Sequence, residues 1–376
     1  MNKIISFVCI TAIVLTSCNN QTTNSSSSST ENQPETYQAD IQALNDLLKK
    51  YQEPAQIFNV ATNKPTQIKG KQGTVISINP ANLLTQSGQP LGKTIDVELI
   101  ELGNQQQLLK TNAQTVSDSK LLVSGGAYYI NMTSDGQQLN IKEGTGLKVE
   151  FPKNSDKDMS LFYGQRDSLG TMNWQSTQQS FKAKQSEPAV APQPQIKSRS
   201  EDNDFTSLIK FIKSDSTTDF VNPDTTKMTK KEKEKYRKEK QQREKENKLT
   251  QAVYNAMDIK SFGWINCDHF LNYENLTDVF VNLNPSDSVK AANFCLVFND
   301  INSVMTSCYF KSKKQIHNEP FKNIPVGYKV KLIAYTLKNE KIYSYAANIT
   351  VQNKQTINVS LKQTPESELA KMLSTK

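Results

Sequence analysis

The sequence predicts a mainly β protein: two antiparallel β-sandwich domains joined by a disordered linker and a long charged α-helix. Three observations carry this. Short β-rich segments separated by turn residues recur between residues 69 and 181, and again from 258 onward. Between them, Ala, Pro, Gln and Ser take over at 182–204. A charged block follows, with eleven Lys or Arg against five Glu between Lys227 and Lys248. That block carries most of the chain's formal net charge of +8, so the flanking regions are close to neutral. A broad basic face for nucleic acid is therefore not expected on either domain.

The chain opens like an export signal. Lys3 supplies a positive start, and Ile4 to Leu15 form a mostly apolar run. Twelve residues fall short of the roughly 20 that cross a bilayer as a helix, so the run reads as a signal core. Leu15-Thr16-Ser17-Cys18 resembles the bacterial lipobox. That resemblance implies diacylglycerol on the Cys18 thiol, cleavage after residue 17, and a membrane-anchored lipoprotein. Two or more acyl chains hold a protein stably, leaving the rest free to be soluble. Asn19 to Pro34, with its serine run from Ser25 to Ser29, reads as a flexible tether over 18–35.

The first domain is placed at 36–181. Tyr37, Ile41, Leu44, Leu48 and Tyr51 form one apolar helical stripe ending before Pro54, expected to dock on this domain or to form a short coiled-coil seam. The period then changes. Thr74–Ile78, Thr94–Ile100, Ala127–Met132 and Leu147–Phe151 are short β-rich runs separated by turn glycines. Gly73-Thr74, Pro80, Gly88, Gly92, Thr115–Ser119, Ser124-Gly125-Gly126-Ala127-Tyr128, Gly136, Gly144 and Phe151-Pro152 follow in a characteristic succession. It resembles the β-sandwich domain shared by zonula occludens proteins, netrin receptors and ankyrins, also found in Bacteroidota envelope proteins. The likeness covers about residues 67–152 and implies a protein-interaction module. Self-cleavage at a His-Phe-Ser motif is not carried over, because His269-Phe270-Leu271 lacks the serine and lies outside the matched stretch. Met159–Gly164 and Thr171–Trp174 continue as strands, with Trp174 read as a packing residue.

Residues 182–204 read as a Pro-rich disordered linker and 205–257 as a helical charged spacer. Glu234–Lys238, Glu239–Arg243 and Glu244–Lys248 are i,i+4 pairs in the favourable order. The second sandwich is placed at 258–376. Its signals are the alternation in Asp278–Leu283, Tyr328–Tyr335 and Thr356–Leu361, a hairpin turn at Lys338–Lys341 with Asn339 in a left-handed conformation, and a C-terminal helix from Pro365. The Phe262–Asp268 stretch resembles a segment of uncharacterised Bacteroidota lipoproteins.

Cys9 leaves with the signal and Cys18 is lipidated, so Cys267, Cys295 and Cys308 remain. A hairpin centred between Ile301 and Asn302 places Cys295 directly opposite Cys308, where a disulfide can form. Cys267 is then a buried free thiol.

Candidate chemistry is sparse. His269 and His317 are the only histidines, and Cys267 with His269 supplies two ligands where a zinc site needs three or four. No phosphate loop or dinucleotide fingerprint follows a strand, so no metal, cofactor or catalytic residue is expected. The reading is a non-enzymatic envelope lipoprotein that binds a protein or glycan partner, with no nucleic acid. It is attached to a membrane through Cys18, the outer membrane being favoured, and is periplasmic or surface-exposed. The alternative is a hydrolase of an envelope polymer using a carboxylate pair assembled in space. A third option is a stalk that only spaces the envelope.

Overall fold

The computed structural model describes residues 36–182, 234, 237, 253–313 and 315–374. Strands dominate, most of them paired antiparallel, as the alternating runs predict. Residues Glu35–Lys376 form one compact unit.

The largest sheet runs in the spatial order β1 (Gln56–Ala61), β5 (Thr94–Leu102), β7 (Lys120–Ser134), β13 (Gly263–Phe270), β10 (Ser160–Arg166) and β11 (Met172–Ser180). The short strands β4 (Leu83–Thr85), β6 (Val116–Ser117) and β8 (Gln137–Ile141) attach beside β7. A second sheet, β12 (Met257–Ile259), β9 (Leu147–Glu150), β3 (Val75–Ile78) and β2 (Thr66–Lys69), faces it. Between them lies a core that includes Ile76, Val97, Tyr128, Ile130, Val149 and Ile265.

The second pair of sheets comes from the C-terminal part. One is β17 (Ile316–Asn318), β16 (Val304–Lys311), β15 (Ala291–Phe298), β19 (Lys329–Lys338), β20 (Lys341–Thr350) and β22 (Lys362–Gln363). The other is β18 (Phe321–Pro325), β14 (Leu276–Leu283) and β21 (Gln355–Val359), in which β14 and β21 run parallel. Phe294, Leu296, Val279, Val281, Ile324 and Leu332 fill the space between these sheets. At the β19–β20 hairpin, Asn339 (φ 50°) and Glu340 (φ 61°) both take positive φ, the two-residue turn that matches strand twist.

A third core joins the two pairs. Ile41, Leu44, Leu47 and Leu48 of α1 (Thr36–Lys49), Leu108 and Leu109 of α2 (Gln105–Lys110) and Leu369 of α3 (Glu366–Met372) lie within it. Phe162 and Trp174 enter from the first large sheet, and Cys295, Val297, Ile333 and Tyr335 from the second. This explains why β15 is apolar but for Asn293, which donates to the Tyr335 hydroxyl: every residue is buried, because both faces are covered. By contrast β14 alternates, with Thr277, Val279 and Val281 inward and Leu276, Asp278 and Phe280 outward.

Three expectations change. First, α1 docks on β15, β16 and β19, so it belongs to the joining core rather than to the first domain alone. Second, the domain boundary at 258 does not hold. β13 lies between β7 and β10 and completes the first large sheet, and β12 pairs with β9. A strand of 263–270 supplies both hydrogen-bonding edges that β7 and β10 need, whatever its distance along the chain. Third, the helical spacer does not extend to 257: Val253 bridges to Pro152, the Asn255 N–H donates to the Lys182 carbonyl at 2.8 Å, and Met257 begins β12, because these residues satisfy the backbone groups of the strands beside them. The linker and the rest of the spacer lie outside the described residues, apart from Glu234 and Arg237, both helical and exposed.

Backbone and side-chain bonds tie the halves further. Thr115 N–H donates to the Val304 carbonyl at 2.8 Å and Ser124 N–H to Asn302 at 2.9 Å. Gln105 Nε2 reaches the Phe298, Ile301 and Ser303 carbonyls at 2.5, 2.6 and 3.2 Å, gripping the turn between β15 and β16. Such an apolar, hydrogen-bonded junction fixes the two pairs of sheets relative to each other, unlike the polar interfaces of mobile domains.

Candidate functional site

Cys18 lies outside the described residues. Cys295 and Cys308 lie on neighbouring strands, but the register differs from the expected one. Cys295 pairs with Thr306 and Cys308 with Asn293, so the hairpin is offset by two residues and the cysteines are diagonal neighbours. Both thiols are free. Burial pushes each up to about 12, so neither is a ready thiolate.

The Cys267-Asp268-His269 set is pulled apart by a bulge between Asn266 and Asp268. Cys267 sits in the first core, and its thiol is raised by burial, then by the neighbouring Asp268. His269 is half-buried, with its pKa lowered by burial and by Lys157, and its Nδ1 makes no hydrogen bond. Asp268 is fully buried. Its Oδ2 accepts from Asn266 Nδ2 at 2.5 Å, while its Oδ1 has no partner. Burial lifts this carboxyl to about 7, against the opposing pull of Ser124, Asn266 and the Gly125 backbone. Among the described residues, no group of three or more His, Cys, Asp or Glu is arranged to hold a metal.

A cleft of about 350 Å³ holds Glu53 and Glu101. Glu101 is nonetheless engaged structurally. One oxygen accepts from Thr74 N–H at 3.0 Å, the other from Gln72 N–H and Gln56 Nε2 at 2.8 Å each. These donors hold the turn at 70–74 and leave the carboxylate without the freedom a general acid needs.

An open groove of about 1020 Å³ lies where the chain passes from β13 to β14. Both ends of this connection are pinned: Leu271 N–H donates to the Leu121 carbonyl, and the Asn275 carbonyl accepts from Val326 N–H, each at 2.9 Å. The residues between are pushed into solvent. Phe270, Tyr273, Leu276 and Phe280 are 37%, 42%, 44% and 41% exposed. Phe270, Tyr273 and Leu276 line the groove and are three of the six large apolar side chains exposed among the described residues, so the exposure there is a patch rather than scatter. Their rings are held from behind. Phe270 meets Phe162 edge-on at 5.5 Å and has Lys120 Nζ 5.8 Å from its centroid; Tyr273 meets Tyr328 edge-on at 5.4 Å. Asn323, at φ 56°, forms the opposite wall and donates from Nδ2 to the Ser119 carbonyl at 2.8 Å.

The polar side chains of Asn272, Glu274 and Asn275 line the same groove. The groove thus offers rigid rings beside exposed amides, an arrangement suited to holding a ligand. No protein-family model matches the chain, and no curated protein or solved structure matches it.

The sequence reading passes over this groove. Its one signal is Tyr273 inside the polar run Asn272-Tyr273-Glu274-Asn275, an aromatic residue in a turn where no strand period accounts for it.

Proposed function

We propose that this protein is a lipid-anchored envelope protein that binds a protein or glycan partner through the groove at 270–276 and does not transform it. The clustering of exposed Phe270, Tyr273 and Leu276 around that groove carries the reading. Burying such a patch on a partner recovers roughly 25 cal/mol per Å² of apolar area that is now in water. Two β-sandwiches fused through a shared apolar core make a rigid mount for it. The leader, with Lys3, the run Ile4 to Leu15 and Cys18, supports anchoring by lipid. The resemblance of residues 67–152 to an interaction domain points the same way. The charged stretch is proposed as a solvated helix that ends before the bridge at Val253 and strand β12.

Two measurements test this. Replacing Cys18→Ala should shift the protein from the membrane to the soluble fraction; retention at the membrane refutes the lipid anchor. Crosslinking on intact cells should capture a partner with the native protein and lose it with Tyr273→Ala. Equal capture by both removes the groove from the function.

A further inference from the structure

We infer that the ligand of this groove is an uncharged oligosaccharide, laid along the Tyr273 ring and the outer face of β14. This rests on the binding reading above and names its ligand class.

The lining decides the class. A sugar ring has C–H groups on its faces and hydroxyls around its rim. Aromatic rings present a negative face that attracts such polarised C–H groups, and Phe270 and Tyr273 are the rings left in solvent here. Hydroxyls both donate and accept, and so do amides. Asn272 and Asn275 are exposed and hydrogen-bond to no side chain, with Glu274 between them as an additional acceptor.

Other occupants fit less well. An anionic polymer needs clustered cations, yet Lys120 is the one cation lining the groove, it lies over Phe270, and Glu274 offsets it. A peptide adding as a strand needs a free, regular edge, but β14 is bonded on both sides, and the edge strand β18 is broken at the groove by Asn323 at φ 56°. An amphipathic helix or lipid chain needs a continuous apolar trough, which Asn272, Glu274, Asn275 and Asp278 interrupt. Leu276 and Phe280 lie on one face of β14 four residues apart, roughly 13 Å at strand rise. Phe280 lies outside the groove's lining, so a ligand that reaches it from Tyr273 and Leu276 is longer than a single sugar, and the groove takes one end of a chain.

The test uses the full-length protein and titration calorimetry with soluble neutral oligosaccharides of glucose, mannose and xylose, beside a polyuronate and an unstructured peptide. At least one neutral oligosaccharide should bind, and its monosaccharide should bind far more weakly. Tyr273→Ala should weaken binding about tenfold, the loss expected of an aromatic anchor. Tyr273→Phe should bind close to the native level, and thermal melting should show all variants folded. Preference for the polyuronate or the peptide overturns the class, as does no neutral oligosaccharide binding at all. Binding that Tyr273→Ala leaves unchanged overturns the location. If neutral sugars fail but crosslinked capture on cells still depends on Tyr273, the glycan inference falls while the binding reading stands. If capture is also indifferent to Tyr273, both fall.

Discussion

Replacing Asp268→Asn should stabilise the protein at alkaline pH and make its stability less dependent on pH. Asp268 lies at the bulge of β13 opposite Ser124, with no exposed surface and only Oδ2 hydrogen-bonded. Burial raises its pKa from 3.8 to about 7. The sign follows directly. Between these values the folded state holds a proton that the unfolded chain releases, so stability falls as pH rises. The contribution is fully present below about 4 and is lost as pH passes 7. The gap of about three pH units, at ~1.4 kcal/mol each, sets a ceiling of ~4 kcal/mol. Asparagine keeps the shape, can still accept from Asn266 Nδ2, and carries no charge to bury. Urea unfolding of both proteins between pH 5 and 8 measures the difference. The variant should gain on the native protein from pH 5 to about 7 and then level off, at a few kcal/mol by pH 8. Parallel pH profiles would refute the reasoning, since they would mean that Asp268 is ionised throughout.

Three further outcomes are expected. Gln105→Ala removes the donor shared by the Phe298, Ile301 and Ser303 carbonyls and should cost about 1–3 kcal/mol in urea unfolding; a change below about 0.5 would show that the turn needs no clasp. Leu44→Ala, at a side chain 1% exposed in the joining core, should cost about 2–5 kcal/mol, whereas a helix merely tethered to the surface would lose almost nothing. Thiol reagents at pH 8 should label Cys295 and Cys308 slowly in the native protein and completely in denaturant, because burial lifts both to about 12. Recovery of a Cys295–Cys308 disulfide peptide would contradict the free thiols.

Local features were legible where local physics sets them. Alternation in Asp278–Leu283 gave a strand with one buried face, and Asn339 took the left-handed conformation that its short side chain tolerates. The helix stripe in 36–52 was legible as a helix, but not as a helix on β15, because an apolar stripe does not state which surface covers it. The cysteine register was missed by two residues because Ser303 and Asn302 are held by Leu122 and Ser124, far away in sequence. The groove was the least legible feature. Phe270, Tyr273 and Leu276 fall in no stretch whose period assigns a face, and only the folded neighbours show them to be exposed together.

Composition and period therefore determine by themselves that this chain is mainly β, that its charge is concentrated in one block, and that Cys18 follows a short apolar run. These depend on residues within a few positions of one another. Tertiary structure decides that Gly263–Phe270 joins the first large sheet, that Lys182 and Asn255 lie side by side, and that one core binds both pairs of sheets. A strand edge or an apolar face accepts any partner that satisfies its hydrogen bonds and excludes water, so sequence distance carries little information about which partner that is.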